Sequence, residues 1–567
     1  MEKSLDALRH SASHILAQAV LELFPDVKLG IGPAIENGFY YDFDKKDGFS
    51  PEDLLQIEKR MNEIIRRDLK IEKSEKTKAE AKKILKDQPY KLELLNELEE
   101  APTFYQQGDF IDLCAGPHLS STKDVIAIKL LSTAGAYWRG DSKRIMLQRI
   151  YGTAFYDKKE LKEYLNMLEE AKKRDHKKLG EKLDLFSFHE EGPGFPFFHP
   201  KGMIIYNNLV NFWKDIHKKH NYQEIKTPII LNKTLWLKSG HWDHYKENMY
   251  FTKIDNKDYA VKPMNCPGGI LIYKNRLHSY KEFPLKLAEL GLVHRHELSG
   301  VLNGLFRVRN FTQDDAHIYC TEHQLEDEII KVIKLADEIY NTFGLTYDLE
   351  LSTRPEKSTG TDEMWEAAEA SLGKALGGLK LDYKLNPGDG AFYGPKIDFH
   401  LKDSIGRTWQ CGTIQVDFSM PELFDLEYDG QDGMKHRPVM VHRAILGSLE
   451  RFLGILVEHY AGRFPLWLSP LQVKIITVND SCIAFAEEVA KKLEENNILA
   501  ELDIRQESIS KKVRDAQNQQ ANYMLTIGEK EVESKKLAVR TREGKVSFGV
   551  SVDNFVKDLV KEIQDKK

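Results

Sequence analysis

The sequence predicts a multidomain α+β protein, and three observations carry that prediction. The chain has 567 residues, too many for a single hydrophobic core. A charged stretch, "DKKELKEYLNMLEEAKKRDHKKLGEKLDLF", has only a thin apolar stripe (Leu161, Tyr164, Leu165, Leu168, Ala171), the pattern of a helix connecting globular units. After "FPLWLSPLQ" strand candidates alternate with helical stretches, which predicts an α/β tail of about 100 residues. The expected divisions are 1–156, a linker helix over 157–184, 185–467 and 468–567.

Composition excludes several classes. Apolar residues make up 41% and charged residues 30% of the chain, as in ordinary globular proteins. No apolar run is long enough to span a bilayer, and "MEKSLDALRH" lacks the layout of a signal peptide. The five cysteines (Cys114, Cys266, Cys320, Cys411, Cys482) are scattered, so the expectation is a reduced, cytoplasmic protein rather than a disulfide framework. A net charge of −6 argues against wholesale coating of nucleic acid but leaves room for a local RNA-binding face.

The elements follow in order. "LRHSASHILAQAV" repeats apolar residues at three- and four-residue steps (Leu5, Leu8, Ile15, Leu16, Ala19), which predicts an amphipathic helix. It sets His10 and His14 on one face. Zinc proteases use that spacing, but with a Glu directly after the first His, where this chain has Ser11. "KLGIGPAIENGFYYDF" reads as strand pieces, and "NYQEIKTPII" as a strand reaching Pro228. "VHRHELSGVLNGLFRVRNFTQDDAHIYC" reads as strand–loop–strand with Arg295, Glu297, Arg307, Arg309 and Phe311 facing one cleft. Arginine forks suit phosphate, an aromatic suits a base, and a carboxylate suits an exocyclic amine. Taken alone the segment is either a nucleotide site or a solvated charged hairpin. "VMVHRAILGSLERFLGILVEH" is an apolar strand turning at Gly447-Ser448 into a helix that carries Arg451. In the tail, "VKIITV", "LAELDIR", "YMLTIG" and "KLAVRTR" are strands, and "CIAFAEEVAKKLEE" and "SISKKVRDAQNQQ" are helices.

A Pro-ended strand, an Arg-x-Glu hairpin and a Gly-to-Arg strand–helix, in that order, resemble the three signatures of class II aminoacyl-tRNA synthetases. "KPMNCPGG", "FTQDDAH", "STRPEK", "GAFYGPKIDF", "WQCGTIQVDF" and "VHRAILGSLERF" sharpen the resemblance to the threonyl-tRNA synthetases of the bacterial type, across essentially the whole chain. The resemblance implies a class II antiparallel-sheet catalytic core, an N-terminal α+β editing domain and a C-terminal α/β anticodon-binding domain. It implies one catalytic Zn2+ per subunit on Cys266, His317 and His442, three ligands with positions left open. Taken singly, those residues read as ordinary core side chains. It implies L-threonine at Gln313, Asp315, Tyr393 and Gln410. ATP with Mg2+ is implied at Arg295, Glu297, Arg307, Phe311, Gln410 and Arg451, with Lys396 beside the α-phosphate and carboxylate. Arg295, Lys396, Arg451 and Gln410 are then the catalytic set. A zinc that takes both the amino group and the hydroxyl would exclude valine, which an apolar pocket separates from its isostere by only about 10²-fold.

Serine lacks one methyl of threonine, a difference worth roughly 1–3 kcal/mol, so a second, hydrolytic site is needed. "HSASH" with "DLCAGPH", "QPYKLELL" and "GFYYDF" resembles the editing domain of the family, placing His10, His14, Tyr41, Lys91, Asp112, Cys114 and His118 in one site. His10, His14, Cys114 and His118 are also a plausible tetrahedral zinc set, as in the alanyl relatives, whereas the threonyl type implies metal-free hydrolysis. Glu531 and Arg540 match base-reading positions for tRNA(Thr), although on composition alone they read as solvated strand ends. The Pro228 strand belongs to the motif that builds a homodimer in this class.

Two departures stand out. The resemblance leads one to expect a chain that opens at the editing domain, without the small ubiquitin-like domain of many relatives, and Gly269 stands where many carry His. Other readings are an inactive RNA-binding paralogue, a zinc hydrolase built on the N-terminal motif, and an amino-acid ligase acting on something other than tRNA. The first would be expected to lack Arg295, Arg451 or a zinc ligand, the second leaves some 400 residues unexplained, and the tail argues against the third.

Overall fold

The computed structural model describes residues 4–141 and 143–567. It falls into two compact units, Met1–Glu169 and Glu170–Lys567.

In the first unit the helix Leu5–Leu23 starts at Ser4, whose side chain caps the Ala7 N–H. It is not half-wetted as its spacing predicts: from Ala7 to Val20 every residue but His10 is buried. Its small side chains (Ser11, Ala12, Ser13, Ala17, Ala19) let neighbours pack on all sides. A five-stranded antiparallel sheet is built from Lys28–Leu29, Ala34–Ile35, Gly38–Asp44, Ala127–Tyr137 and Met146–Phe155. Helix Pro51–Arg66 enters through a capping box between Ser50 and Asp53. Leu8, Ile15, Leu16, Phe39, Phe43, Ile57 and Met61 form the core between these layers. A separate three-stranded antiparallel sheet, Ile71–Glu75, Thr103–Gln107 and Phe110–Leu113, carries Asp112.

The charged connector is two helices, Lys158–Arg174 and His176–Lys182, because Asp175 takes the N-cap position and accepts from the Lys177 and Lys178 N–H groups. The first helix buries no residue. The second belongs to the second unit, where His176 and Gly180 are buried and Leu183 and Leu185 join the main core.

That core lies against an eight-stranded sheet in the order 223–224, 285–294, 310–320, 439–448, 408–417, 396–402, 346–352, 383–386. The six inner strands are antiparallel, and only the two edge strands pair in parallel. The expected strand before Pro228 is only Gln223–Glu224; beyond it the chain leaves the sheet, and Ile230–Asn232 joins a different, three-stranded one. Helices Leu325–Thr342, Asp362–Gly378 and Leu449–His459 cover the sheet with Val332, Ile339, Leu372, Phe452 and Leu456.

The tail forms a five-stranded sheet ordered 500–503, 473–477, 523–527, 536–541, 546–551. Its first three strands are parallel and its last two antiparallel. All four expected strands and both helices are present. The edge strand Val546–Ser551 and helix Val552–Gln564 were not foreseen, since four of the strand's six residues are exposed and give little apolar signal.

Candidate active site and editing site

Register builds the catalytic cleft. Leu287, His317, His442, Gln415 and Lys396 are directly opposed on five adjacent strands. Two residues along, Glu289, Asp315, Ala444, Thr413 and Asp398 form a second row. Alternation puts both rows on one face. A bulge at Phe399/His400 pairs His400 with Gln410, keeping Gln410 on that face.

Cys266 opens helix Cys266–Tyr273 against this face. Ligand atoms of Cys266, His317 and His442, all buried, lie within 4.8 Å of one another. Asp417 Oδ2 sits 2.8 Å from His442 Nε2 and fixes the ring, the partner that metal-binding histidines usually have. Burial, then the charges of Asp315 and Asp417, hold the Cys266 thiol well above its ordinary pKa. A bound cation is what would ionise it. One sulfur and two nitrogens with a carboxylate behind them are a donor set that fits zinc.

A cavity of about 110 Å³ adjoins this cluster, lined by Cys266, His317 and His442 together with Gln313, Asp315, Tyr393 and Arg295. Met264, Thr413, Gln415, Arg443 and Ala444 complete it and were not foreseen. The polar alternation Thr413-Gln415-Asp417 in an apolar strand was the signal available. Asn265 Nδ2 donates to Asp315 Oδ2 over 3.0 Å and orients it. Gly291 leaves room for this amide, since a Cβ there would lie 2.2 Å from Asn265 Oδ1. Burial raises the Asp315 carboxyl pKa, and the Asn265 hydrogen bond opposes that rise.

A second cavity, of about 620 Å³, shares Arg295 and Gln313 with the first. Glu297, Arg307, Phe311, Gln410 and Arg451 line it, as expected, and Trp409, Phe306 and Asn303 join them. Gln410 therefore belongs to the larger cavity and is absent from the lining of the smaller one, which takes Thr413 and Gln415 further along the strand. The Arg295 guanidinium lies 5.1 Å from the Phe311 ring centre, and its Nε donates to the Pro263 carbonyl. Glu297 pairs with Arg307 at 3.0 Å. Gly447, at φ +78°, turns the chain. Ser448 Oγ then caps the Arg451 N–H at 3.0 Å. Arg451 Nε is buried with no hydrogen-bond partner, a donor suited to an anion. Lys396 lines neither cavity; its Nζ is 2.9 Å from Asp398 and 3.4 Å from Asp389. Arg309 also stays out, donating to the carbonyls of Glu297 and Pro193.

The N-terminal set meets in full. Cys114 Sγ lies 3.2 Å from His10 Nε2 and 3.3 Å from His118 Nε2. The His14 ring centre lies 4.2 Å from that of His118, the planes tilted by 50°. Asp112 accepts from Tyr41 OH at 2.5 Å and from Lys91 Nζ at 2.7 Å, and lies 3.8 Å from His14. Ser11, where a zinc protease carries its Glu, instead bonds His118 Nδ1 at 3.2 Å and accepts from Leu119 N–H. Tyr105 packs on His118 at 4.4 Å. These last two contacts had no sequence signal beyond proximity to the motifs. Burial lowers the pKa of all three histidines, and each charged neighbour ring lowers His14 and His118 further. Burial pushes the Cys114 thiol up to about 11. The ligand atoms of His10, His14, Cys114 and His118 also lie within 4.8 Å of one another, so they too form a zinc-compatible donor set.

In the tail, Glu531 Oε2 accepts from the Gly528 N–H at 3.0 Å, capping helix Glu529–Ser534. Arg540 lies opposite Met524 and Val546 on strand Lys536–Thr541. Among the described residues no helix is long and apolar enough to cross a membrane.

An antiparallel sheet whose face joins an arginine-lined cleft to a small polar pocket, with a Gly–Ser turn leading into an arginine-bearing helix, defines a class II aminoacyl-tRNA synthetase core. The comparisons agree. Residues 250–460 match the model for the tRNA synthetase class II core domain (G, H, P, S and T). Residues 472–562 match the anticodon binding domain, and 103–151 the threonyl and alanyl tRNA synthetase second additional domain. The threonine–tRNA ligase of Clostridium tetani is 62% identical over all of this chain and 89% of its own length. That of Clostridium novyi is 61% identical with the same coverage. The crystal structure of the RNA binding domain of threonyl-tRNA synthetase from Cryptosporidium parvum superposes with a TM-score of 0.67 at 42% identity, over 68% of this chain and 98% of that one. The chain belongs to the threonine–tRNA ligase family.

Proposed function

We propose that the two joined cavities divide the activation step of threonine–tRNA ligation between them. The observation that carries this is their shared wall, Arg295 and Gln313, which brings an amino-acid pocket and a nucleotide cleft to one point. Phe311 offers a face to adenine, and Glu297 an acceptor for its exocyclic amine. Arg307 and Arg451 neutralise the outer phosphates, and Mg2+ accompanies the triphosphate. Arg295 meets the α-phosphate and the carboxylate, with Lys396 on the same sheet face. Asp315, oriented by Asn265, accepts from the threonine hydroxyl, while Gln313 and Tyr393 close the pocket. Cys266, His317 and His442 would hold Zn2+, which when bound supplies Lewis-acid sites for the amino group and hydroxyl. The threonine carboxylate attacks the α-phosphorus in line, pyrophosphate leaves, and the aminoacyl group passes to a ribose hydroxyl at the tRNA(Thr) 3′ end. Positioning and charge neutralisation suffice for this, which fits a cleft rich in arginine.

The N-terminal site clears Ser-tRNA(Thr) by hydrolysis. We read it as metal-free, since Cys114 already bridges two imidazoles and Asp112 is taken up by Lys91 and Tyr41. Glu531 and Arg540 read the anticodon. The Pro228 segment forms a homodimer, and the enzyme works in the cytoplasm.

The test is amino-acid-dependent ATP–pyrophosphate exchange. Exchange with threonine, weaker exchange with serine and none with valine is the expected result. Exchange with valine, or none with threonine, would overturn the reading.

A further inference from the structure

The larger cavity draws its arginines from two places: Arg295 and Arg307 from the segment after strand Leu285–His294, and Arg451 from helix Leu449–His459. The spacing of Arg307 and Arg451 must be held for both to reach one polyphosphate, yet the loop residues Asn303–Arg307 belong to no strand. One side chain ties the two together. His176 Nδ1 lies 2.7 Å from Glu458 Oε1, near the C-terminal end of the Arg451 helix, and the His176 backbone N–H donates to the same oxygen at 3.0 Å. On its other side, His176 Nε2 accepts from the Leu305 N–H at 3.0 Å.

These bonds define a tautomer. A nitrogen that accepts from a backbone N–H carries no proton, so Nδ1 bears it and donates to Glu458. The contact is buried: His176 and Glu458 side chains are 1% and 3% exposed. It is also sandwiched. The Phe306 ring sits 4.1 Å from His176 and 4.2 Å from Trp409, and both Phe306 and Trp409 line the cavity. Arg407 closes the far side, 2.5 Å from Glu458 and 2.7 Å from Asp403. Two glycines make the approach possible. Gly304 has φ +49°, and a Cβ there would lie 2.2 Å from His176 Nε2. At Gly454 a Cβ would lie 3.0 Å from Phe306 and 3.2 Å from Leu305, so the loop rests directly on the Arg451 helix.

We propose that His176 is a positioning residue for nucleotide binding, clamping the Asn303–Arg307 loop to the helix that carries Arg451. It touches no substrate and acts through the Leu305 amide and Glu458. The proposal rests on the reading of the larger cavity as the ATP cleft. It also gives the second half of the charged connector a role within the catalytic unit.

Threonine-dependent ATP–pyrophosphate exchange with the full chain tests it, with KM for ATP and for threonine measured separately. Asn places an amide near the Nδ1 position and Gln near Nε2, so H176N keeps the Glu458 bond and loses the Leu305 bond, while H176Q keeps an acceptor for Leu305. H176N should raise KM for ATP about tenfold with little change in KM for threonine, and H176Q should recover most of that loss. Gly304→Ala, at a partly exposed position beside the buried Leu305, should reproduce the selective rise by pushing the loop off the imidazole. Equal rises in both KM values, or equal losses in H176N and H176Q matched by equal drops in Tm, would reduce His176 to a structural residue and overturn the proposal, as would an unchanged KM for ATP in Gly304→Ala. Absence of exchange in the parent chain would instead remove the ATP reading beneath it.

Discussion

Among the described residues two clusters of cysteine and histidine have nearly the same donor atoms but different surroundings. In the catalytic unit, His317 and His442 are register partners on adjacent antiparallel strands, and Asp417 grips the second nitrogen of His442. In the N-terminal unit, His10 and His14 sit one turn apart on a buried helix, and the local carboxylate, Asp112, is held by Lys91 and Tyr41. On the proposed reading the first arrangement orients ligands toward an outside ion. The second spends its polar contacts internally, on a thiol between two imidazoles, and leaves a neutral, hydrogen-bonding surface suited to placing water and an ester. The donors are nearly alike, and what separates the two clusters is where the carboxylate is held: on His442 in one, on Lys91 and Tyr41 in the other.

The strongest way to break this comparison is to remove a catalytic-unit donor. His317→Ala should abolish stoichiometric zinc, read by metal analysis, and cut threonine-dependent exchange by more than the 10- to 100-fold, or about that, typical of losing an outer-shell partner. Next, His118→Ala should slow deacylation of Ser-tRNA(Thr) by about 10²-fold or more while leaving exchange intact. A chelator that strips the catalytic unit should leave deacylation of preformed Ser-tRNA(Thr) unchanged, and its loss would show the N-terminal cluster to be a metal site after all. Lys91→Met leaves Asp112 buried without its cation, and should destabilise the N-terminal unit by about 3–5 kcal/mol in denaturant unfolding. Asp417→Asn should weaken zinc binding by about 10- to 100-fold in competition with a chelator.

The smallest effect concerns pH. Burial pushes the Glu450 carboxyl up to about 7, against the bonds it accepts from Thr312 and Ser448. A carboxyl raised on folding favours the folded state while protonated, so its contribution is full below the ordinary carboxylate range and is lost as pH rises toward 7. Glu450→Gln should therefore flatten the decline in Tm between about pH 5 and 8 relative to the parent chain.

Much of this architecture was legible from residue order. Strand–loop–strand around Arg295–Phe311, the Gly447-Ser448 turn and the tail's alternation all follow from local periodicity and turn chemistry, and all are present. The helix at the N-terminus was foreseen, but its burial on nearly every side was not, because spacing reports one apolar face and small residues hide the others. The connector read as one helix breaks at Asp175, whose side chain competes for the backbone N–H groups of the next turn.

The sequence by itself determined the elements, the motif order and, through resemblance, the family and the residues to inspect. Tertiary structure alone decided which of them meet. Cys266 and His442, with His317 between them, lie 176 positions apart, and only the pairing of strands 310–320 and 439–448 sets the two histidines side by side. Gln410 lines the larger cavity, while Thr413 and Gln415 further along the strand line the smaller one. His176, inside a stretch that composition marks as solvated, is buried because an eight-stranded sheet brings a helix end and a loop to either side of it. Local preference acts over a few residues, whereas register and packing fix distances across the whole sheet.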